Sequence, residues 1–393
     1  PFNCSMDERK AVSFPFTGAL PSAPYIDETL CVRTASGEDC TLCKDACIVE
    51  GAVDFDDREE VLEFEVGAIA LATGAGLYDL SRIPNLGYGS VPGVCSSFEL
   101  ERMLSANGPT GGRLESPAGE APKSVCIVQC AGSLDPDHKE YCSGICCQEA
   151  FKLNEMIGKQ SEGAKVYHLY KEMVAPGKQE ISLYKRVNEN PNSEFIRYDV
   201  IKDIKVSGGA EGISVELGGT SGEPRKIDVD LVVLCPAVVP AENTAALAET
   251  LGLELGPNGF FEEFHSTMDS ARSKIKGIYL AGTCRSPMGI EQAMSQGMAS
   301  AGYVLAGITP GKKLEVKPIC ATVIEEKCGG CMMCASVCPY KAISFDSNTH
   351  KAYVNAVLCY GCGTCVAACP AKAIRGNHFT SAQIAAEIGG VLG

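Results

Sequence analysis

Eight cysteines toward the C-terminal end leave the chain around them little freedom. Residues 328–339 read CGGCMMCASVCP and residues 359–370 read CYGCGTCVAACP. Each run is C-x2-C-x2-C-x3-C-P, and matching tails follow, YKAISF and AKAIRG. In this spacing three closely set thiolates take three corners of a cubane, and the fourth cysteine crosses over to ligate the other cluster. One cluster is expected on Cys328, Cys331, Cys334 and Cys369, the second on Cys359, Cys362, Cys365 and Cys338. A zinc site or unligated core cysteines are the alternatives, but zinc sites rarely show two tandem runs with a following proline.

Residues 311–393 read on this basis as a two-[4Fe–4S] ferredoxin domain. A damaged echo stands near the start, CVRTASGEDCTLCKDACIVEGAVDF, residues 31–55. Cys40, Cys43 and Cys47 keep the x2 and x3 spacings, and GAVDF repeats the tail. Eight residues separate Cys31 from Cys40 where an ordinary ferredoxin leaves two, and Ile48 replaces the proline. Residues 1–60 are expected to be half of a ferredoxin with an inserted turn. By the crossing rule Cys47 serves a cluster whose other ligands lie upstream, and Cys4 is the local candidate to complete the Cys31, Cys40, Cys43 site. The alternative is a chance C-x2-C-x3-C in a loop.

Twenty-two cysteines in 393 residues, grouped rather than scattered, argue for metal ligation in a reducing compartment over a secreted disulfide scaffold. A cytoplasmic, oxygen-sensitive protein is expected. The net charge of −15 offers no basic stripe to nucleic acid. The longest apolar stretches, such as VGAIALATGAGL, fall short of the ~18 residues that cross a bilayer. The chain begins at Pro1, so an upstream segment is expected to have been removed or left out.

Between the cysteine regions the pattern is α/β. SVCIVQ (124–129) and AKVYHLY (164–170) read as strands, with a helix between them. That is the opening of a dinucleotide-binding β-α-β unit, yet its loop carries Cys130, Cys142, Cys146 and Cys147 in place of glycines. VGAIALATGA (66–75) and DLVVLCPAVVP (230–240) read as buried strands running into turns. KGIYLAGTCRSPMGIEQAMSQGMASAGYVLAG (276–307) reads as strand, glycine turn and helix. Cys126 and Cys235 fall inside strands and read as small core residues. This order resembles the two-dinucleotide-domain flavoproteins related to thioredoxin reductase. The resemblance implies FAD contacts at Ala72, Thr73 and Gly74, and at Gly282, Thr283, Pro287, Gly289 and Ile290. Two features depart from it. The first G-x-G-x-x-G, which takes the ADP half of FAD, is absent, and Thr283 stands where an acidic residue is usual.

With ERKAVSFPF, the C-x-G-S…YCSxxCC loop, GIYLAG and the terminal FTSAQIAAEI, the chain resembles the A-type family of heterodisulfide reductase subunits, minus its N-terminal region. The resemblance implies about four [4Fe–4S] clusters and FAD, one cluster being held by Cys130, Cys142, Cys146 and Cys147. Reduced core cysteines or a redox-active pair are the alternative for that loop. Lys152 is expected at the reactive edge of the flavin, against the ordinary fate of an exposed lysine. The resemblance further implies flavin-based electron bifurcation between a high-potential acceptor and ferredoxin. Implied partners are B- and C-type subunits, a hydrogenase- or formate dehydrogenase-linked donor, a homodimeric core, and a separate chain supplying the N-terminal half. The expected divisions are 1–60, 61–120 and 241–310 for the FAD-binding part, 121–240 for the cysteine-bearing nucleotide-like unit, and 311–393. A passive polyferredoxin relay with an incomplete flavin site is the competing function. An NAD(P)H-dependent flavoprotein needs a second G-x-G-x-x-G, and none lies between residues 120 and 235.

Overall fold

The computed structural model describes residues 10–13, 23–58, 60–106, 108–209, 212–218, 224–308 and 319–392. Cys4 and most of ERKAVSFPF lie outside them. The chain divides into two compact units, one of residues 1–65, 79–142 and 146–237, the other of 66–78, 143–145 and 238–393.

The first unit is built on a five-stranded sheet. Its order is Val94–Ser96, Leu231–Pro236, Ser124–Ala131, Lys165–Tyr170 and Ser193–Arg197, every neighbouring pair parallel. A parallel sheet covered on both faces needs continuous apolar strands, which is why SVCIVQ and LVVLC do not alternate. Ser124–Ala131 is buried at every position after the first, and Leu231–Pro236 throughout. Helices Cys146–Gln160 and Lys178–Asn188 make the two crossovers from Ser124–Ala131 outward. The longer one buries Cys146, Ala150, Leu153 and Ile157 against the main core, with Val125, Ile127, Leu231 and Val233. Cys147 and Phe151 fall on an adjoining stripe, against Val187. Spacings of three and four along one helix generate both stripes.

Before the last strand returns, an antiparallel meander intervenes, Ile204–Gly209, Gly212–Leu217 and Arg225–Val229. Ile213, Val215 and Leu217 alternate inward, the period-two signature of a sheet with one wet face. Helix Ser97–Leu104 opens on a capping box: Ser96 accepts from the Glu99 N–H, and the Glu99 carboxylate accepts from the Ser96 N–H. Near the N-terminus, Cys31 caps the short helix Val32–Ser36, while Cys43 lies in Leu42–Ala46 and Cys47 ends it.

The second unit holds a four-stranded sheet, Glu263–His265, Asp269–Ser273, Ile278–Leu280 and Ile69–Leu71. The last two run parallel, with Leu280 opposite Leu71. Leu71, Phe261, Ile278, Leu280 and Cys284 form its core. Helix Ile290–Gly307 leaves this sheet, and residues 319–392 follow as a region with its own core of Ala342, Ile343, Ala352, Ile374 and the buried cysteines. There Ala321–Val323 pairs with Ile374–Gly376, and Ile343–Asp346 with Lys351–Val354. No described helix is long and apolar enough to cross a membrane.

Candidate iron–sulfur and flavin sites

Two cavities lie in the region 319–392. One is lined by Cys338, Cys359, Cys362 and Cys365. The other is lined by Cys328, Cys331, Cys334 and Cys369. The fold brings together the same two sets of four that the spacing groups, with Cys338 and Cys369 each reaching into the cavity of the opposite run. Each short helix carries the third cysteine of its run, Cys334 in Met333–Ser336 and Cys365 in Thr364–Ala368.

Backbone amides face the sulfurs. Ala342 donates to Cys338 Sγ at 3.4 Å and Ala373 to Cys369 Sγ at 3.2 Å, the same four-residue step in both halves. Ala321 donates to Cys359 Sγ at 3.4 Å and Ala352 to Cys328 Sγ at 3.5 Å. Such donors stabilise thiolate and an anionic cluster. The Ala352 amide, foremost among its neighbours, draws the Cys328 thiol below its ordinary pKa. Among the described residues no three His, Cys, Asp or Glu side chains close on a single metal ion. A cubane gives each cysteine its own iron, so its ligands stand farther apart than those of one ion. Cavities ringed by four thiols, with amides on the sulfurs, fit that larger group.

The loop of the parallel sheet is built differently. Cys130, next to last in its strand, stands at φ 58°, a left-handed conformation costly for a residue other than glycine. Cys146 and Cys147 open the next helix and are buried, as is Cys130, whereas Cys142 is exposed. All four lie within electrostatic reach: Cys130, Cys147 and Cys142 each oppose ionisation of Cys146. Burial pushes the Cys147 thiol up to about 11 and raises Cys130 and Cys146 as well. A metal held here would have to release those protons, and the helix dipole at Cys146 would favour the negative charge left behind.

The loop is pinned by a pair that its sequence does not advertise. The buried Lys171 Nζ donates to Leu134 O at 2.8 Å and meets Asp135 at 3.2 Å. Beneath it, His168 bridges Gln129 and Asn154, and Tyr198 donates to Gln129 O at 2.6 Å. The Lys152 ammonium pairs with the Glu101 carboxylate and is half exposed. Cys126 and Cys235 are fully buried core residues, as their strands predict. Cys31, Cys40, Cys43 and Cys47 are all half-buried.

In the second unit, Ala72–Gly74 and Gly282–Thr283 leave the carboxyl ends of adjacent parallel strands, the edge where such sheets take ligands. Gly74 and Gly282 have φ of 73° and 75°, which suits glycine. Cys284 Sγ donates to Leu71 O at 3.2 Å, tying the two turns. Gly289 caps the helix that starts at Ile290, and Pro287 lines an open cleft with Arg285, Gln292 and Gln296. Thr73 Oγ1 and Arg285 Nε are buried without a partner. Unpaired polar atoms beside two glycine turns fit a polar, anionic cofactor such as FAD.

A family model, the 4Fe-4S dicluster domain, matches residues 327–373. Among solved structures, thioredoxin reductase of Lactococcus lactis is similar, with a TM-score of 0.40 and 16% identity over 76% of this chain and 86% of that one. Thioredoxin reductase of T. acidophilum gives 0.37 and 15% over 61% and 65%. The iron–sulfur A subunit of the CoB–CoM heterodisulfide reductase of Methanocaldococcus jannaschii is 36% identical across 100% of this chain and 59% of its own length. The corresponding A subunit of the H(2):CoB-CoM heterodisulfide,ferredoxin reductase of Methanothermobacter marburgensis is 37% identical across 96% of this chain and 56% of its own. The chain is a homologue, along its whole length, of the heterodisulfide reductase A subunits, and it spans a little over half of theirs.

Proposed function

We propose that this chain is a flavin and iron–sulfur electron-transfer component of a heterodisulfide-reductase-like oxidoreductase complex. The observation that carries the reading is the pair of cavities, each ringed by four cysteines in crossed order. In the proposal Cys328, Cys331, Cys334 and Cys369 hold one [4Fe–4S] cluster, and Cys359, Cys362, Cys365 and Cys338 another. Cys130, Cys142, Cys146 and Cys147 hold a third where a nicotinamide cofactor's phosphates would lie in a glycine-loop relative. Cys31, Cys40 and Cys43 contribute to a fourth site completed by residues beyond those described, and by the crossing rule Cys47 serves a cluster whose other ligands lie upstream. Ala72–Gly74 and the turn from Gly282 to Ile290 receive FAD, which when bound supplies exchange between two-electron and one-electron carriers. Lys152 is proposed to leave Glu101 for the flavin's reactive edge and favour its anionic reduced form.

The M. marburgensis relative is named for heterodisulfide and ferredoxin, and a Methanococcus maripaludis relative for hydrogen or formate as well. By analogy the proposed complex contains B- and C-type subunits around a homodimeric core and a hydrogenase- or formate-linked donor. It divides electrons between a high-potential acceptor and ferredoxin. Anaerobic purification of the native complex tests this. Expected are FAD together with about four clusters' iron per chain. Absence of flavin would leave the second reading, a relay without bifurcation. That reading draws on the strand Ile69–Leu71, which among the described residues pairs on one side only, and on helix Ile290–Gly307, which buries a single residue, Ser300.

A further inference from the structure

Aligned on their cysteines, the two halves of the dicluster domain differ at several positions, and two of the differences bring an aromatic ring beside the cysteines. Tyr360 follows Cys359 where Gly329 follows Cys328, and Tyr340 stands where the second half has Ala371. Both tyrosines line one cavity, that of Cys338, Cys359, Cys362 and Cys365. Gly329 and Ala371 line its twin. A duplicated domain has thus placed both of these aromatic rings at one centre.

Both tyrosines are half-buried. Their rings stack on each other with centroids 4.7 Å apart, and Phe264 packs on them at 5.1 Å from Tyr360 and 6.2 Å from Tyr340. Phe264 belongs to Glu263–His265, the outer strand of the four-stranded sheet. The Lys276 ammonium lies 4.7 Å from the Tyr360 ring, and the Arg272 guanidinium covers both Phe264 and Tyr303 at 5.3 and 5.2 Å. Tyr303 sits on helix Ile290–Gly307, which begins at the candidate flavin turn. Beside the rings, Lys341 Nζ meets Glu254 Oε2 at 3.1 Å, and Glu254 is held in turn by Lys274 at 2.9 Å.

We infer that Tyr340, Tyr360 and Phe264 form a dock that turns the Cys338, Cys359, Cys362, Cys365 centre toward the four-stranded sheet, and leaves its twin as the centre offered to an external electron carrier. The inference rests on the proposed reading of the cavities as cluster sites. Aromatic packing meant only for stability could lie anywhere on the domain. Here it borders one centre and joins it, through Arg272 and Tyr303, to the helix of the flavin turn. Electron exchange weakens steeply with distance, so the centre that is docked is the one positioned to exchange with a flavin held at the turns of that sheet.

Zero-length carbodiimide coupling of the iron-loaded chain tests the dock, because Glu254 can couple to Lys341 across it or to Lys274 on its own side of it. Peptide mass spectrometry should recover both links from the native chain. Phe264→Ala removes the ring without touching a cysteine. It should lower the Lys341 link about tenfold relative to the Lys274 link, as loss of an aromatic contact implies. Iron content should not change. Tyr360→Leu should act alike if Phe264→Ala folds poorly. A Lys341 link undiminished in both variants, or missing from an iron-loaded native chain, overturns the dock. Iron is counted in every sample, so a native dicluster domain without iron sinks the cluster reading, while the link still decides the dock.

Discussion

At the scale of single residues, the proposed chemistry rests on cysteines whose environments separate those sealed singly in strands from those gathered in groups. Cys126 and Cys235 are sealed in strands, and burial pushes the Cys126 thiol up to about 12, so it stays protonated and inert. Cys146 is equally hidden but shares its surroundings with three other thiols. Cys146→Ala is expected to lose one cluster's iron and keep FAD, and an unchanged iron count in that variant would return the loop to ordinary core packing. His168 makes a second residue-scale prediction. Burial lowers its folded pKa from 6.5 to about 3, so the unfolded chain binds more protons between those values. Its contribution to stability is complete above pH 6.5 and drains away as pH falls toward 3. His168→Gln should flatten the fall in unfolding midpoint between pH 7 and pH 5 relative to the native chain. Equal slopes would show that another group sets it.

At the scale of elements, the strongest local signals produced the best-defined pieces. SVCIVQ became a strand because an apolar run has few stable alternatives once both faces are covered, whereas AKVYHLY and GIYLAG became strands with half-buried positions between buried ones. The loop 130–142 was less legible, because Lys171, which pins it, lies in the turn after a different strand. The Ser96 and Glu99 capping box gives a measurable element-scale effect: Ser96→Ala should cost ~1 kcal/mol in chemical denaturation. The dicluster region has its own core and its own sheet pairs. Residues 311–393 expressed anaerobically should therefore fold alone with about eight irons. Recovery of only one or two metal atoms per fragment would contradict the ligand assignment.

At the scale of the whole molecule, helix Ile290–Gly307 presents Ile290, Met294, Met298 and Leu305, exposed by 82, 64, 69 and 77%. These residues share a stripe at helical spacing, a face that the proposed N-terminal half, as a longer chain or a separate subunit, would cover. Peroxide footprinting should oxidise Met294 and Met298 in the isolated chain and spare them in the native complex, and equal oxidation in both would refute that cover. The spacing of Cys328 to Cys369 by itself determined the grouping of two ligand sets, because three thiolates two residues apart can close on only one cubane. Apolar runs determined the parallel sheet, and small-residue turns determined where its strands end. Tertiary structure alone decided the rest. Tyr340 and Tyr360 are 20 positions apart and Phe264 is 76 before Tyr340, so nothing local marks them as one stack. Lys171 and Asp135, Thr73 and Arg285 likewise acquire meaning only through what burial leaves beside them. Local spacing is written in covalent geometry, whereas the pairing of distant side chains is fixed only when a core forms and removes their access to water.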